Sequence, residues 1–210
     1  MRNSTTSHMN DSGDVADRVL TTPFTKMLEP PIHRPVLPLV QLQSLTSKHA
    51  GLHLVHPEEV VVAGWSQGGF LSYLSAVRDD FKFKGAICGA GVTDWDMLCM
   101  TSDYPWFEAE LTGKAPWQTS SDDVKGRHGS AVWHMLQKKN DEKTPVLILH
   151  GEEDKRVPLT QAIAFHRGCL ELDWPCEFVV YPREEHLFAE RAHLVDVLKR
   201  VRRFCDLHLR

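Results

Sequence analysis

The sequence predicts an α/β domain built on a mostly parallel sheet. Short apolar or β-branched runs recur near residues 59–65, 83–89, 145–150 and 176–181. Stretches with helical periodicity follow the first and third of these runs and also close the chain. Polar, turn-forming residues collect just beyond the carboxyl ends of the runs. Strands that alternate with helices are joined by crossovers, and crossovers make parallel pairs.

Residues 1–35 are polar and then punctuated by Pro23, Pro30, Pro31 and Pro35, so they are expected to form a disordered arm. The domain is expected over 36–210. Leu39, Leu42 and Leu45 recur at helical spacing and Gly51 offers a stop, which predicts a helix leading into the first strand. That strand, 59–65, carries Val60, Val61 and Val62 and is bounded upstream by Pro57. Phe70, Leu74 and Val77, with Leu71 widening the stripe, predict a helix directly after it. An aromatic-rich insertion over 93–139 separates the strands at 83–89 and 145–150. A helix over 159–171 leads to the strand at 176–181. The final helix, 188–208, is expected to bury Leu194, Val197, Leu198, Val201 and Phe204, leaving Lys199-Arg200 and Arg202-Arg203 to solvent. No internal repeat is evident.

Composition narrows the function classes. A 210-residue chain with 42% hydrophobic residues can bury a sizeable core. A formal net charge of −4 gives no reason to expect nucleic acid or an anionic membrane as a partner. No stretch is long enough to span a bilayer, and the first residues lack the apolar centre of a secretory signal, so a cytoplasmic location is expected. The five cysteines include no CxxC pair, which argues against structural zinc and a disulfide framework; reduced core thiols are expected at Cys88 and Cys205. No cofactor and no metal are expected.

The chemistry sits at strand ends. Gly64-Trp65-Ser66-Gln67-Gly68-Gly69 follows the valine run directly, and a serine between glycines at this spacing suits a tight strand-to-helix turn that pushes its hydroxyl outward. Pro145-Val146-Leu147-Ile148-Leu149-His150 runs into Gly151-Glu152-Glu153-Asp154, an acidic turn at a strand's carboxyl end. Glu177-Phe178-Val179-Val180-Tyr181 is followed by Pro182-Arg183-Glu184-Glu185-His186. Ser66, Asp154 and His186 thus share one edge of the sheet, in the chain order of an α/β-hydrolase triad. Ser66 is the candidate nucleophile, His186 the base and Asp154 the residue that orients it. The backbone N–H of Gln67 is the candidate oxyanion donor. His193 competes with His186 but falls inside the last helix, and His150 is expected to hydrogen-bond locally. Trp65, Trp95, Trp106 and Phe107 are candidates for a substrate wall, with core packing the competing role for at least two of the insertion's aromatics.

These three blocks, together with Gly91-Val92-Thr93-Asp94-Trp95, Thr101-Ser102-Asp103, Phe107-Glu108 and Gly113 to Trp117, resemble the catalytic domain of the prolyl oligopeptidase family, in particular its dipeptidyl-peptidase and acylaminoacyl-peptidase branch. The resemblance covers roughly residues 36–210. It implies an α/β-hydrolase fold and a serine peptidase acting on a peptide or small acyl substrate. It also implies that the first strands of the full domain, and the His-Gly-Gly type loop carrying a second oxyanion donor, are missing here. A truncated domain leaves two alternatives open: hydrolysis of small esters, or a weak or inactive homologue that acts only by association. An uncapped edge beside strand 59–65 would favour a homo-oligomer.

Overall fold

The computed structural model describes residues 19–20, 56, 58–79, 82–118, 129–138 and 143–209. The helix expected around Leu39 to Gly51 lies outside these residues, as does the arm at 1–35 except for two of its members. Those two, Val19–Leu20, form β1 and pair in parallel with Val61 and Val62, so that part of the edge expected to be uncapped is occupied by the arm expected to lack structure.

The sheet continues with β2 (Val61–Trp65), β3 (Gly85–Gly89), β4 (Val146–Gly151) and β5 (Cys176–Tyr181), side by side in chain order and parallel throughout. Every residue of β3 and β4 is buried, as expected of central strands covered on both faces, and their sequences are accordingly apolar without alternation. Between the strands lie α1 (Gln67–Val77), α2 (Trp95–Thr101), α3 (Pro105–Thr112), 3-10 segments at Pro116–Gln118 and Ala131–Gln137, and α4 (Thr160–Glu171). The chain closes with α5 (Arg191–His208).

Because each strand is added on the same side of the last, crossovers of one hand bring the connecting helices to one face of the sheet. Tyr73, Leu74, Leu98, Met135 and Phe165 build the core on that face against Ala86, Cys88, Val146 and Ile148. The alternate residues Val61, Ile87, Leu147 and Leu149 point to the other face, where Phe204 and Cys205 of α5 meet them. Buried Gln161 pins α4 to the segment after β3, accepting the N–H groups of Thr93 and Asp94 at 2.8 Å each and donating to the Asp94 carbonyl. Asp94 in turn caps α2 through the Met97 N–H.

α5 corrects one expectation. Val197 and Val201 pack inward and Phe204 is buried, but Leu194 is 43% and Leu198 68% exposed. The helix lies over β3 and β4, so only the arc holding Val197, Val201, Phe204 and Cys205 meets the sheet, and the apolar stripe in the sequence is wider than that arc. All five cysteines are free thiols, and burial pushes the Cys88 and Cys205 thiols up in pKa, which keeps them protonated. Among the described residues no helix is long and apolar enough to cross a membrane.

Candidate active site

Ser66 joins β2 to α1 with φ 58 and ψ −118, a backbone conformation that a residue with a Cβ rarely adopts. Two features impose it. Gly64 lets the turn close on itself, since a Cβ there would stand 2.3 Å from the Gly68 carbonyl group. The Ser66 N–H, meanwhile, is bonded to the Gly89 carbonyl at 2.9 Å and the Ser66 carbonyl to the Phe70 N–H at 2.9 Å, fixing the residue from both sides. Although Ser66 occupies the N-cap of α1, its hydroxyl caps no helix amide. It is turned instead toward His186, with Oγ 2.9 Å from Nε2.

Asp154 lies in the turn after β4 with its side chain fully buried. Its Oδ1 accepts the N–H groups of Arg156 and Val157 at 2.9 Å each, and its Oδ2 faces His186 Nδ1 at 2.8 Å. An ionised carboxylate can only accept, so Nδ1 carries the proton of the neutral imidazole and Nε2 is left to accept from the serine hydroxyl. His150 lies fully buried beneath this pair, its Nε2–H donating to the Val157 carbonyl at 2.7 Å, as the expectation of a local hydrogen bond had it. Burial lowers its pKa and keeps it neutral.

The structure therefore brings Ser66, Asp154 and His186 into one hydrogen-bonded chain at the carboxyl edge of the sheet. Gln67 opens α1, so its N–H is among those that helix geometry leaves without an intrahelical acceptor, directly beside the Ser66 hydroxyl. The aromatic candidates separate. Trp106 is 62% exposed and its neighbour Phe107 is exposed on α3. Trp95 is 2% exposed and packed edge-on against Phe70, so it belongs to the core and cannot form an open wall, a correction to its proposed pocket role. Trp65 packs edge-on against Phe188, and its indole N–H donates to the His186 carbonyl at 2.9 Å. It fastens the loop that carries His186 to β2, a contact across 121 residues that no local signal in the sequence announces.

His193 is held away from this chain, with Nδ1 2.8 Å from the Glu184 carboxylate. Glu184, Glu190 and His193 present ligand atoms within 4.8 Å of one another, but Arg183 occupies Glu190 through Nε and Nη2 while two backbone N–H groups fill Glu184. The carboxylate oxygens of the group are thus already engaged by the protein's own donors.

The family model described as the prolyl oligopeptidase family matches residues 41–210. Among curated relatives, dipeptidyl-peptidase 5 of Porphyromonas endodontalis is 29% identical over 132 residues, which is 63% of this chain and 19% of that protein. The acylamino-acid-releasing enzyme of Rattus norvegicus is 28% identical over 143 residues, 62% of this chain and 18% of that protein. The chain spans about a fifth of the length of the curated relatives it matches. Among solved structures, acylaminoacyl peptidase of Pyrococcus horikoshii superposes with a TM-score of 0.74 at 21% identity, covering 85% of this chain and 28% of that one, a likeness of fold.

Proposed function

Because this chain belongs to the prolyl oligopeptidase family, we propose that it is a serine hydrolase cleaving peptide or acyl-amide bonds through Ser66, His186 and Asp154. The observation that carries the reading is the continuous relay from Ser66 Oγ through the His186 ring to the buried Asp154 carboxylate, at 2.9 and 2.8 Å.

In that relay Ser66 Oγ attacks the substrate carbonyl carbon while His186 Nε2 takes its proton. Asp154, already bonded to Nδ1–H, favours the imidazolium that forms without itself being protonated. The Gln67 N–H, at the positive end of α1, faces the developing oxyanion. His186 then gives its proton to the leaving amine nitrogen as the carbon–nitrogen bond breaks. Water, activated by the same imidazole, hydrolyses the acyl-enzyme and restores the hydroxyl. Relatives named for dipeptide release and for acylamino-acid release suggest substrates cut near an amino end.

The test is labelling with a fluorophosphonate, which reacts only with an activated serine. The unsubstituted chain should label, Ser66→Ala should not, and His186→Ala should label more slowly by about 10⁴-fold or more. Equal labelling of Ser66→Ala would assign the nucleophile elsewhere and end the reading.

A further inference from the structure

We propose that Glu184 is the positioning residue for the base: its buried carboxylate and its main-chain carbonyl together set the loop that holds His186 against Ser66 and Asp154. The inference rests on the triad reading above and adds to it a residue that touches neither substrate nor reacting atoms.

Nine residues, 182–190, separate the end of β5 from the start of α5, and His186 lies at their middle. A loop of that length has no intrinsic reason to hold one side chain in one place. Glu184 closes it. Its carboxylate, 1% exposed as a residue, reaches across His186 to the chain that follows: Oε2 accepts the Ala189 N–H at 2.7 Å, and Oε1 accepts the Glu190 N–H at 2.9 Å and His193 Nδ1–H at 2.8 Å. The segment 184–190 is thereby drawn into a ring whose crown is His186.

The same residue fastens that ring to the acid turn. The Glu184 carbonyl accepts the Glu153 N–H at 2.9 Å, one residue before Asp154. The approach is close because position 151 has no side chain: a Cβ on Gly151 would stand 2.4 Å from the Glu184 oxygen and 2.6 Å from the Glu185 oxygen. With Trp65 holding the His186 carbonyl from the nucleophile strand, the base loop is tied to each of the other two catalytic loops and to α5.

Only an ionised carboxylate meets this donor set. Two backbone N–H groups converge on it and can only donate, and His193 with its proton on Nδ1 adds a third donor, so a neutral amide would present its own N–H₂ to at least one donor and leave that donor unpaired. Burial opposes the charge, but the hydrogen bonds from Ala189, His193 and Glu190 outweigh it and hold the Glu184 carboxyl below its usual pKa. The start of α5 adds a favourable dipole.

The test is Glu184→Gln in the full chain, read in two ways: the rate of fluorophosphonate labelling well below the melting temperature, and the downfield proton resonance of the His186 Nδ1–H bonded to Asp154. Displacement of the ring should slow labelling by about 10- to 100-fold and broaden or remove the resonance while far-UV circular dichroism is retained. A variant that merely melts earlier, with both readouts unchanged, overturns the proposal. Should Glu184→Gln not fold, His193→Ala removes one of the three donors and should slow labelling in the same direction by a few-fold; an unchanged rate overturns the proposal equally. If the unsubstituted chain does not label at all, the triad reading fails, and the His186 resonance alone decides the positioning role.

Discussion

Replacing Glu108 by Gln should change how stability depends on pH. Glu108 sits on α3 at 2% exposure, and its Oε2 has no hydrogen-bond partner. Burial raises its pKa from 4.5 to about 7; Arg156 opposes that rise and Asp103 reinforces it. A carboxyl held protonated by the fold binds its proton more tightly folded than unfolded, so stability is fully present below about pH 4.5 and declines as pH rises toward 7. At 1.36 kcal/mol per pH unit the interval amounts to about 3 kcal/mol. For a chain of this size that corresponds to about 6–12 °C in melting temperature. Thermal unfolding followed by circular dichroism at pH 5 and pH 8, for the unsubstituted chain and Glu108→Gln, isolates the effect as a difference of differences. The constant penalty of the new amide cancels. So does His150, whose lowered pKa acts with the opposite sign by removing stability as pH falls below 6.5. Parallel curves of melting temperature against pH would refute the assignment of a buried, neutral Glu108.

Two further outcomes follow from the site. Gly64→Ala should abolish fluorophosphonate labelling and lower the melting temperature, because its Cβ meets Gly68 backbone; Gly68→Ala meets nothing within 4 Å, lies inside α1, and should stabilise by up to about 1 kcal/mol with labelling kept. Equal behaviour of the two would contradict the turn geometry. Trp65→Phe keeps the ring packing on Phe188 but removes the 2.9 Å bond to the His186 carbonyl, so labelling should slow by about fivefold, as loss of roughly 1 kcal/mol of positioning implies.

The strands and the turn after β2 were legible because their signals are local. Val60 to Val62 followed by glycines at fixed spacing state both the element and the place where it breaks, and the acidic turn and His186 each follow an apolar run within a few residues. What escaped is what periodicity and spacing do not encode. Leu194 and Leu198 share a face with Val197 and Val201, but the sequence does not say how wide an arc the sheet covers. Trp95 lies among exposed aromatics in sequence and yet is swallowed by the core beside Phe70. Gln161, Trp65 and Glu184 act through bonds to residues distant in the chain or to backbone groups, and such bonds have no composition. Glu184 stood inside the block that contains His186 and gave no sign of its own.

The conformation of Ser66 sets the interests of folding and of chemistry against each other. A non-glycine residue at φ 58 carries strain of about 1–3 kcal/mol, and glycine at the same position would relieve it. Under selection for heat resistance alone, position 66 should therefore drift toward the one residue that has no hydroxyl to offer. Libraries of this chain screened for melting temperature without an activity screen would enrich that change, and under the proposed reading serine is kept there for the hydroxyl that attacks the substrate.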